Sequence, residues 1–334
     1  MANNLRVDRR AVLAATLASF VPTRFADAQP EISQPAISES ACPLEIINPV
    51  ASDGYRGVGV LRKPPGNGPF PAIISLHGGM VTESLSYLQS LARDSANATR
   101  FLAAGYVVVV PTYRSRDVDP QSSVSLEDSL AALEYVRKLP YVDAESIVVF
   151  GCSGGGDLAL EVAARTRIAA VVPEEPAIHL MAGMFNASIS KRGERFVPAD
   201  SFFMLDNPKQ YYTTEFRKIF QAKVAKIQCP ILLVQGDANR QALPVDRLMR
   251  DILIPELRAA GKTLTVGIYP EQLHCFCIES GLPWPAGRRA SPPASWPTAA
   301  LQAFRDIDAF NRRYLKTQPK AIDSRLVTYV AVRH

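Results

Sequence analysis

The run Ile147-Val148-Val149-Phe150-Gly151-Cys152-Ser153-Gly154-Gly155-Gly156-Asp157-Leu158-Ala159-Leu160 decides how the chain is read. Four apolar residues predict a short buried strand, the glycines an abrupt turn, and the residues after them a helix. At the turn stands Gly151-x-Ser153-x-Gly155, the spacing of a serine nucleophile on a sharp strand-to-helix corner. Small residues belong there because the two arms of the corner approach too closely for side chains. A strained turn of this kind lifts the serine hydroxyl clear of the sheet. The Gly154 N–H, at a helix start, is then a candidate oxyanion donor. The bland alternative is a glycine-rich connection with no chemistry. The apolar run before the turn and the amphipathic stretch after it favour the nucleophile.

With 334 residues, 47% hydrophobic and 21% charged, the chain can bury a sizeable core. The formal charge of +5 is spread without a run of like charge, so no nucleic-acid partner is expected. Arg9-Arg10 precede an apolar run from Ala11 to Val21, and Ala26-Asp27-Ala28 follows. That order is a charged region, a short apolar region and a small-residue cleavage site, so residues 1–28 are expected to be an export signal of twin-arginine-like type. The run is too short for a membrane span, so no stable insertion is expected. A periplasmic or extracellular protein is implied. The five cysteines are Cys42, Cys152, Cys229, Cys275 and Cys277, and export permits disulfides among them. Cys275-x-Cys277 is too short for an easy mutual bridge and is a poor metal site. Cys152 and Cys229, beside predicted core strands, read as small buried hydrophobes. No pairing follows from the spacing.

In chain order, residues 29–43 are rich in Pro, Ser, Glu and Gln and read as a disordered lead-in. Leu44–Val50 and Gly57–Arg62 read as a hairpin around Asp53-Gly54. Pro71–Leu76, Tyr106–Val110, Ile168–Val172, Ile231–Gln235 and Leu264–Tyr269 are further apolar runs. Helical periodicity covers Thr82–Ala104, broken around Asp94–Ala98, then Leu126–Leu139, Gly155–Arg165, Val245–Ala260 and Ala299–Leu315. Between about 176 and 226 the pattern lapses, which places a lid-like insertion there. Residues 321–334 form a tail. Continuous apolar strands alternating with helices predict an α/β fold, a mostly parallel central sheet with helices on both faces. One catalytic domain over 44–320 is expected.

An activated serine needs a base, and the base an orienting group. Of the four histidines, His274 follows a predicted strand and falls at the carboxyl edge of the sheet, where Ser153 also opens; it is the candidate base. His179 lies in the insertion and reads as a satisfied polar residue. His77 precedes Gly78-Gly79 at a strand end and shapes a turn there. From that turn Gly79, with Gly78 and Met80 as neighbours, is the candidate second oxyanion donor.

These pieces resemble the α/β-hydrolases of prolyl oligopeptidase and dienelactone hydrolase type. The resemblance rests on His77-Gly78-Gly79, Gly105-Tyr106-Val107-Val108-Val109-Val110-Pro111-x-Tyr113-Arg114, Gly151-x-Ser153-x-Gly155-Gly156, Cys229-Pro230-Ile231-Leu232-Leu233-Val234-Gln235-Gly236-Asp237, and Tyr269-Pro270 with His274-x-Phe276. It implies a serine hydrolase that acts on a small-molecule ester or a short peptide and needs no metal or organic cofactor. The β-propeller that prolyl oligopeptidases carry ahead of this domain is expected to be missing, since too few residues precede it. Dienelactone hydrolases place a cysteine at the centre of the elbow. Here Ser153 holds that place, and Cys152 only flanks it.

One position departs from the family's pattern. The acid usually stands three residues after Gly236, and Asn239 occupies that position. Asp237 in the same loop is the first substitute. Glu174 or Glu175, after the strand Ile168–Val172, is the second. Asn239 itself, holding the imidazole through its carbonyl, is the third. An exported carboxylic ester hydrolase is the leading expectation. An exopeptidase of prolyl oligopeptidase type and a non-catalytic hydrolase-like binding protein are the alternatives.

Overall fold

The long apolar runs become strands; those inside the sheet are covered on both faces, while Leu264–Tyr269 at its edge is partly exposed. The computed structural model describes residues 33–79, 81–114, 124–183, 189–192, 195–198, 208–237, 245–282 and 292–331. The chain begins with β1 (Ser33–Ile37), β2 (Glu45–Ile47), β3 (Gly59–Arg62) and β4 (Phe70–Leu76). Helices α1 (Leu85–Asp94) and α2 (Ala96–Ala104) lead to β5 (Val107–Pro111). Then come α3 (Val124–Arg137), β6 (Val142–Cys152), α4 (Gly154–Arg165) and β7 (Ala170–Glu174). The insertion holds a hairpin, β8 (Ile189–Arg192) with β9 (Arg195–Pro198), followed by α5 (Pro208–Tyr211) and α6 (Thr214–Lys226). Next is β10 (Ile231–Gly236); α7 (Val245–Leu248) then runs through a π-helical turn (Met249–Leu253) into α8 (Ile254–Ala259). β11 (Leu264–Tyr269), α9 (Trp296–Arg312) and β12 (Val327–Ala331) close the chain.

The main sheet has eight strands in the order β11-β10-β7-β6-β4-β5-β3-β2. From β11 to β5 all neighbours are parallel; β3 and β2 add an antiparallel edge. Strand β6 lies inside the sheet, held by β4 on one side and β7 on the other. Alternation along the strands sends side chains to two cores. Ile74, Val149, Val171 and Leu233 meet Leu133 of α3, Leu158 of α4 and Phe220 of α6. Ile73, Val148, Val172 and Val234 meet Leu91 of α1, Phe101 of α2 and Ile307 of α9. This double covering is why these strands read as unbroken apolar runs.

The break foreseen near Asp94–Ala98 falls on Ser95. Its backbone is extended, and its hydroxyl accepts the Ala98 N–H at 3.5 Å to cap α2. The lead-in is not featureless. Ser33–Ile37 pairs antiparallel with Val327–Ala331 of the tail. The buried Arg62 holds this end down through the carbonyls of Ile37 at 2.8 Å and Cys42 at 3.0 Å. Its polar composition hid the strand because pairing with a segment nearly 300 residues away leaves no local signal.

The insertion starts from a fixed base. Asp157 of α4, wholly buried, accepts N–H groups of Leu180 at 2.6 Å and Met181 at 3.1 Å. Lys223 of α6 donates to the Leu180 carbonyl at 2.6 Å and pairs with Glu161 of α4. Among the described residues, no helix is long and apolar enough to cross a membrane. Residues 1–28, expected to be an export signal, lie outside those described.

Candidate active site

Ser153 sits where β6 turns into α4. Its φ is 54° and ψ −115°, a conformation that non-glycine residues rarely hold. The corner is locked from both sides. Ser153 N–H donates to the Glu174 carbonyl at 2.9 Å, and the Ser153 carbonyl accepts Asp157 N–H at 3.0 Å and Ala177 N–H at 3.1 Å. The glycines are steric necessities. A Cβ on Gly151 would lie 2.2 Å from the Gly155 carbonyl oxygen, and one on Gly155 would lie 2.2 Å from that of His77. The motif is therefore a true elbow and not a loose glycine loop.

The candidate base and its partner come from the loops after β11 and β7, the two strands that flank β10. His274 lies in the loop after β11, nearly buried. Its Nδ1 is 2.9 Å from Oε2 of Glu175, which directly follows β7. The same Oε2 accepts Cys275 N–H at 3.0 Å, and Oε1 accepts Gly236 N–H at 2.8 Å. Glu175 is completely buried and, like Ser153, has a positive φ, 45°. Two backbone N–H groups and the His274 ring thus surround the oxygens of this buried carboxyl.

The first-ranked acid, Asp237, is not the residue behind the imidazole. Its exposed carboxylate accepts the Glu271 N–H, the loop-capping role that short acidic side chains take at turns. Glu174 is also turned elsewhere. Its oxygens accept Cys277 N–H at 2.7 Å and Ile278 N–H at 3.2 Å. Burial first, and the neighbouring Glu175 charge second, push its carboxyl well above the usual carboxylate range. Asn239 lies outside the described residues.

Cys152 and Cys275 form a disulfide, with Cα atoms 5.7 Å apart. Cys152 is thus more than a small buried hydrophobe. Its sulfur and that of Cys275 lie with a His274 ring nitrogen inside a 4.8 Å cluster, but the S–S bond occupies both thiols and leaves no thiolate ligand. Cys42, Cys229 and Cys277 are buried and free.

The turn after β4 faces the elbow. A Cβ on Gly78 would lie 3.8 Å from Ser153 Cβ and 3.7 Å from Cys275 Sγ, so Gly78 stands directly against the candidate nucleophile. Gly79, the favoured oxyanion donor of that turn, is exposed; its carbonyl accepts the Tyr113 hydroxyl at 3.0 Å. Gly154 is buried at the first position of α4, where its N–H points out of the helix start.

His77 braces this turn. Its ring stacks on Tyr113 with centroids 4.2 Å apart and lies 3.3 Å from the Thr112 hydroxyl. Burial lowers its pKa to about 4. The neutral ring is the folded form. Between pH 6.5 and 4 only the unfolded chain takes up the proton, so stability falls as pH falls through that window. The loss attributable to His77 is about 3 kcal/mol. Asp157, raised by burial to about 7, has the opposite sign: its contribution is lost as pH rises through 7. Comparison with His77→Gln isolates the histidine. Urea denaturation at pH 7 and pH 4.5 should show a steeper acid loss in the parent than in the variant. Equal slopes would mean that the ring is protonated in the folded state.

The family model described as the prolyl oligopeptidase family (Peptidase_S9) matches residues 93–281, more than half of the chain. The chain belongs to this family. Its sheet and helices form an α/β-hydrolase fold. Among solved structures it is similar to an acylaminoacyl peptidase of Pyrococcus horikoshii. That match has TM-score 0.59 and 16% identity and covers 85% of this chain and 44% of that one. It is also similar to an esterase of Pyrobaculum calidifontis, with TM-score 0.54 and 20% identity, covering 81% and 84%. A curated relative is the quorum-quenching protein AidA of Acinetobacter baumannii, 34% identical over 114 residues. That match covers 32% of this chain and 35% of the relative, so the chain spans about a third of AidA's length.

Proposed function

We propose that the protein hydrolyses carboxylic esters through an acyl-enzyme on Ser153, with His274 as general base and Glu175 as the group that orients it. The 2.9 Å approach of Glu175 Oε2 to His274 Nδ1 carries the reading. It fixes the imidazole tautomer so that Nε2 is the proton acceptor, and it stabilises the imidazolium formed when Ser153 gives up its proton. The hydroxyl then attacks the acyl carbon. Gly154 N–H, with a second N–H from the Gly78–Gly79 turn, holds the oxyanion. Protonated His274 returns the proton to the departing alcohol, and water completes deacylation by the same steps reversed.

Ester cleavage is the less demanding reaction. A site able to expel an amine from an acyl group also expels an alcohol from the same acyl group, because alkoxide leaving groups need less protonation. Hence an ester assay detects either activity. A second reading, short peptides as substrates, gains from the carboxylate at His274. Amide leaving groups demand a well-oriented, strongly basic histidine, and Glu175 offers that support although the usual acid position holds Asn239. The disulfide supports the export reading, since such bonds persist in oxidising compartments. We also infer that the insertion over about 176–226 shapes the acyl and alcohol preference.

The test is direct. A fluorophosphonate should modify one residue, Ser153, as located by peptide mass mapping. Short-chain p-nitrophenyl esters should turn over, and aminoacyl amides run in parallel decide between the two substrates. A folded protein that neither labels at Ser153 nor turns over an ester would sink the proposal.

A further inference from the structure

The Cys152–Cys275 disulfide joins the residue before the nucleophile to the residue after the base. Resting on the reading just given, we propose that this bond is the strut that sets Ser153 against His274, and that opening it turns hydrolysis down.

The two cysteines lie 123 positions apart in sequence, yet their Cα atoms are 5.7 Å apart, within the span a disulfide closes without moving the backbone. Their mechanical settings differ. Cys152 ends β6, a strand held on both sides by its neighbours. Cys275 lies in the connection between β11 and α9, where Glu271 and Cys275 both have a φ of 63°. Non-glycine residues keep that conformation only where surrounding bonds impose it. Cys275 is where those bonds meet. Its sulfur is tied to β6, its N–H donates to Glu175 Oε2 at 3.0 Å, and its peptide bond carries His274. One residue thus couples nucleophile, acid and base. Its sulfur also packs 3.7 Å from where a Gly78 Cβ would stand, below the turn that faces Ser153.

A dithiol reductant supplies the chemistry of opening. Its thiolate attacks one of the two sulfurs and forms a mixed disulfide, expelling the other cysteine as a thiolate. Its second thiol then closes on the first, releasing the remaining cysteine. The dithiol ends as a cyclic disulfide, and Cys152 and Cys275 each take up a proton. Without the strut, the His274 loop is held to β6 only by weaker contacts. A displacement of about 1 Å between reacting groups costs on the order of 100-fold in rate.

Alkylation of the denatured, unreduced protein should count three thiols, those of Cys42, Cys229 and Cys277. A count of five would overturn the proposal. The Cys152→Ala/Cys275→Ala double variant, and the parent reduced with dithiothreitol until a denatured aliquot alkylates at all five cysteines, are then assayed on a p-nitrophenyl ester. Assays run below each protein's melting temperature, with active sites counted by fluorophosphonate. In both, kcat per labelled site should fall about 100-fold while KM moves less than about threefold. Reoxidation should restore the parent and not the variant. A bond with a merely structural role would lower the melting temperature and leave kcat per folded site within about twofold; that result overturns the strut. If the double variant does not fold, the reduced parent carries the comparison. Loss of its circular dichroism in step with its activity would also count against the strut. Failure of the underlying reading looks different: the oxidised parent itself would neither label nor turn over.

Discussion

Ser153→Ala and His274→Ala are each expected to lower kcat for an activated ester by on the order of 10⁵-fold, and the double variant should lose no more than either alone. In the proposed mechanism the two side chains perform one proton transfer. Removing the base leaves a serine hydroxyl that cannot shed its proton at neutral pH. Removing the hydroxyl leaves an imidazole with nothing to activate except water. Neither loss can be suffered twice, so the effects are non-additive. What persists in all three variants is binding and oxyanion stabilisation by Gly154 and the Gly78–Gly79 turn. The elbow survives Ser153→Ala because its hydrogen bonds are all main-chain, from Ser153 N–H to Glu174 and from Asp157 and Ala177 to the Ser153 carbonyl. Melting temperature should accordingly stay close to that of the parent. His274→Ala removes a nearly buried ring and should cost some stability as well. Steady-state kinetics of the three variants, normalised to folded protein, checks this. Retention of a tenth of the activity in His274→Ala would place the base elsewhere.

Why Ser153 and His274 are legible in sequence while their partner is not follows from geometry. The elbow has a local signature, because only glycine tolerates the 2.2 Å contacts that a Cβ would make at positions 151 and 155. The strands announce themselves because both faces are buried. The acid has no such signature. Glu175 and Asp237 both stand just past the carboxyl ends of adjacent parallel strands, β7 and β10, and Glu175 N–H bonds the Val234 carbonyl at 2.9 Å. Either loop reaches the same place, and sequence spacing does not say which side chain turns inward. Asn239 in the usual acid position was the available signal that the charge comes from another strand. The disulfide also had an unread signal. If Ser153 and His274 must meet, their neighbours Cys152 and Cys275 are brought within bonding range. The β1–β12 pairing offered nothing comparable: Ser33–Ile37 carries no apolar alternation, and Val327–Ala331 gives no sign of a partner nearly 300 residues away.

Glu175→Gln should lower kcat by about 10³- to 10⁴-fold, whereas Asp237→Asn should leave it within about twofold. The first substitution preserves shape and removes two things. One is the charge that stabilises imidazolium. The other is acceptor capacity, because both Glu175 oxygens already serve backbone donors, Oε1 from Gly236 and Oε2 from Cys275. A glutamine must turn its NH₂ toward one of them. Facing Gly236, it sets donor against donor inside a sealed pocket and leaves a neutral carbonyl for His274. Facing Cys275, it also presents N–H to His274 Nδ1 and selects the wrong tautomer. Either orientation disfavours the transition state more than the bound substrate, so kcat falls and KM changes little. Asp237→Asn loses neither property at the site. Its carbonyl oxygen still caps the Glu271 N–H, and the group is exposed. Measured on one ester under one set of conditions, the two variants separate the strand ends cleanly. The reverse ordering would return the acid to the β10 loop and reduce Glu175 to a buried brace for the loop that carries His274.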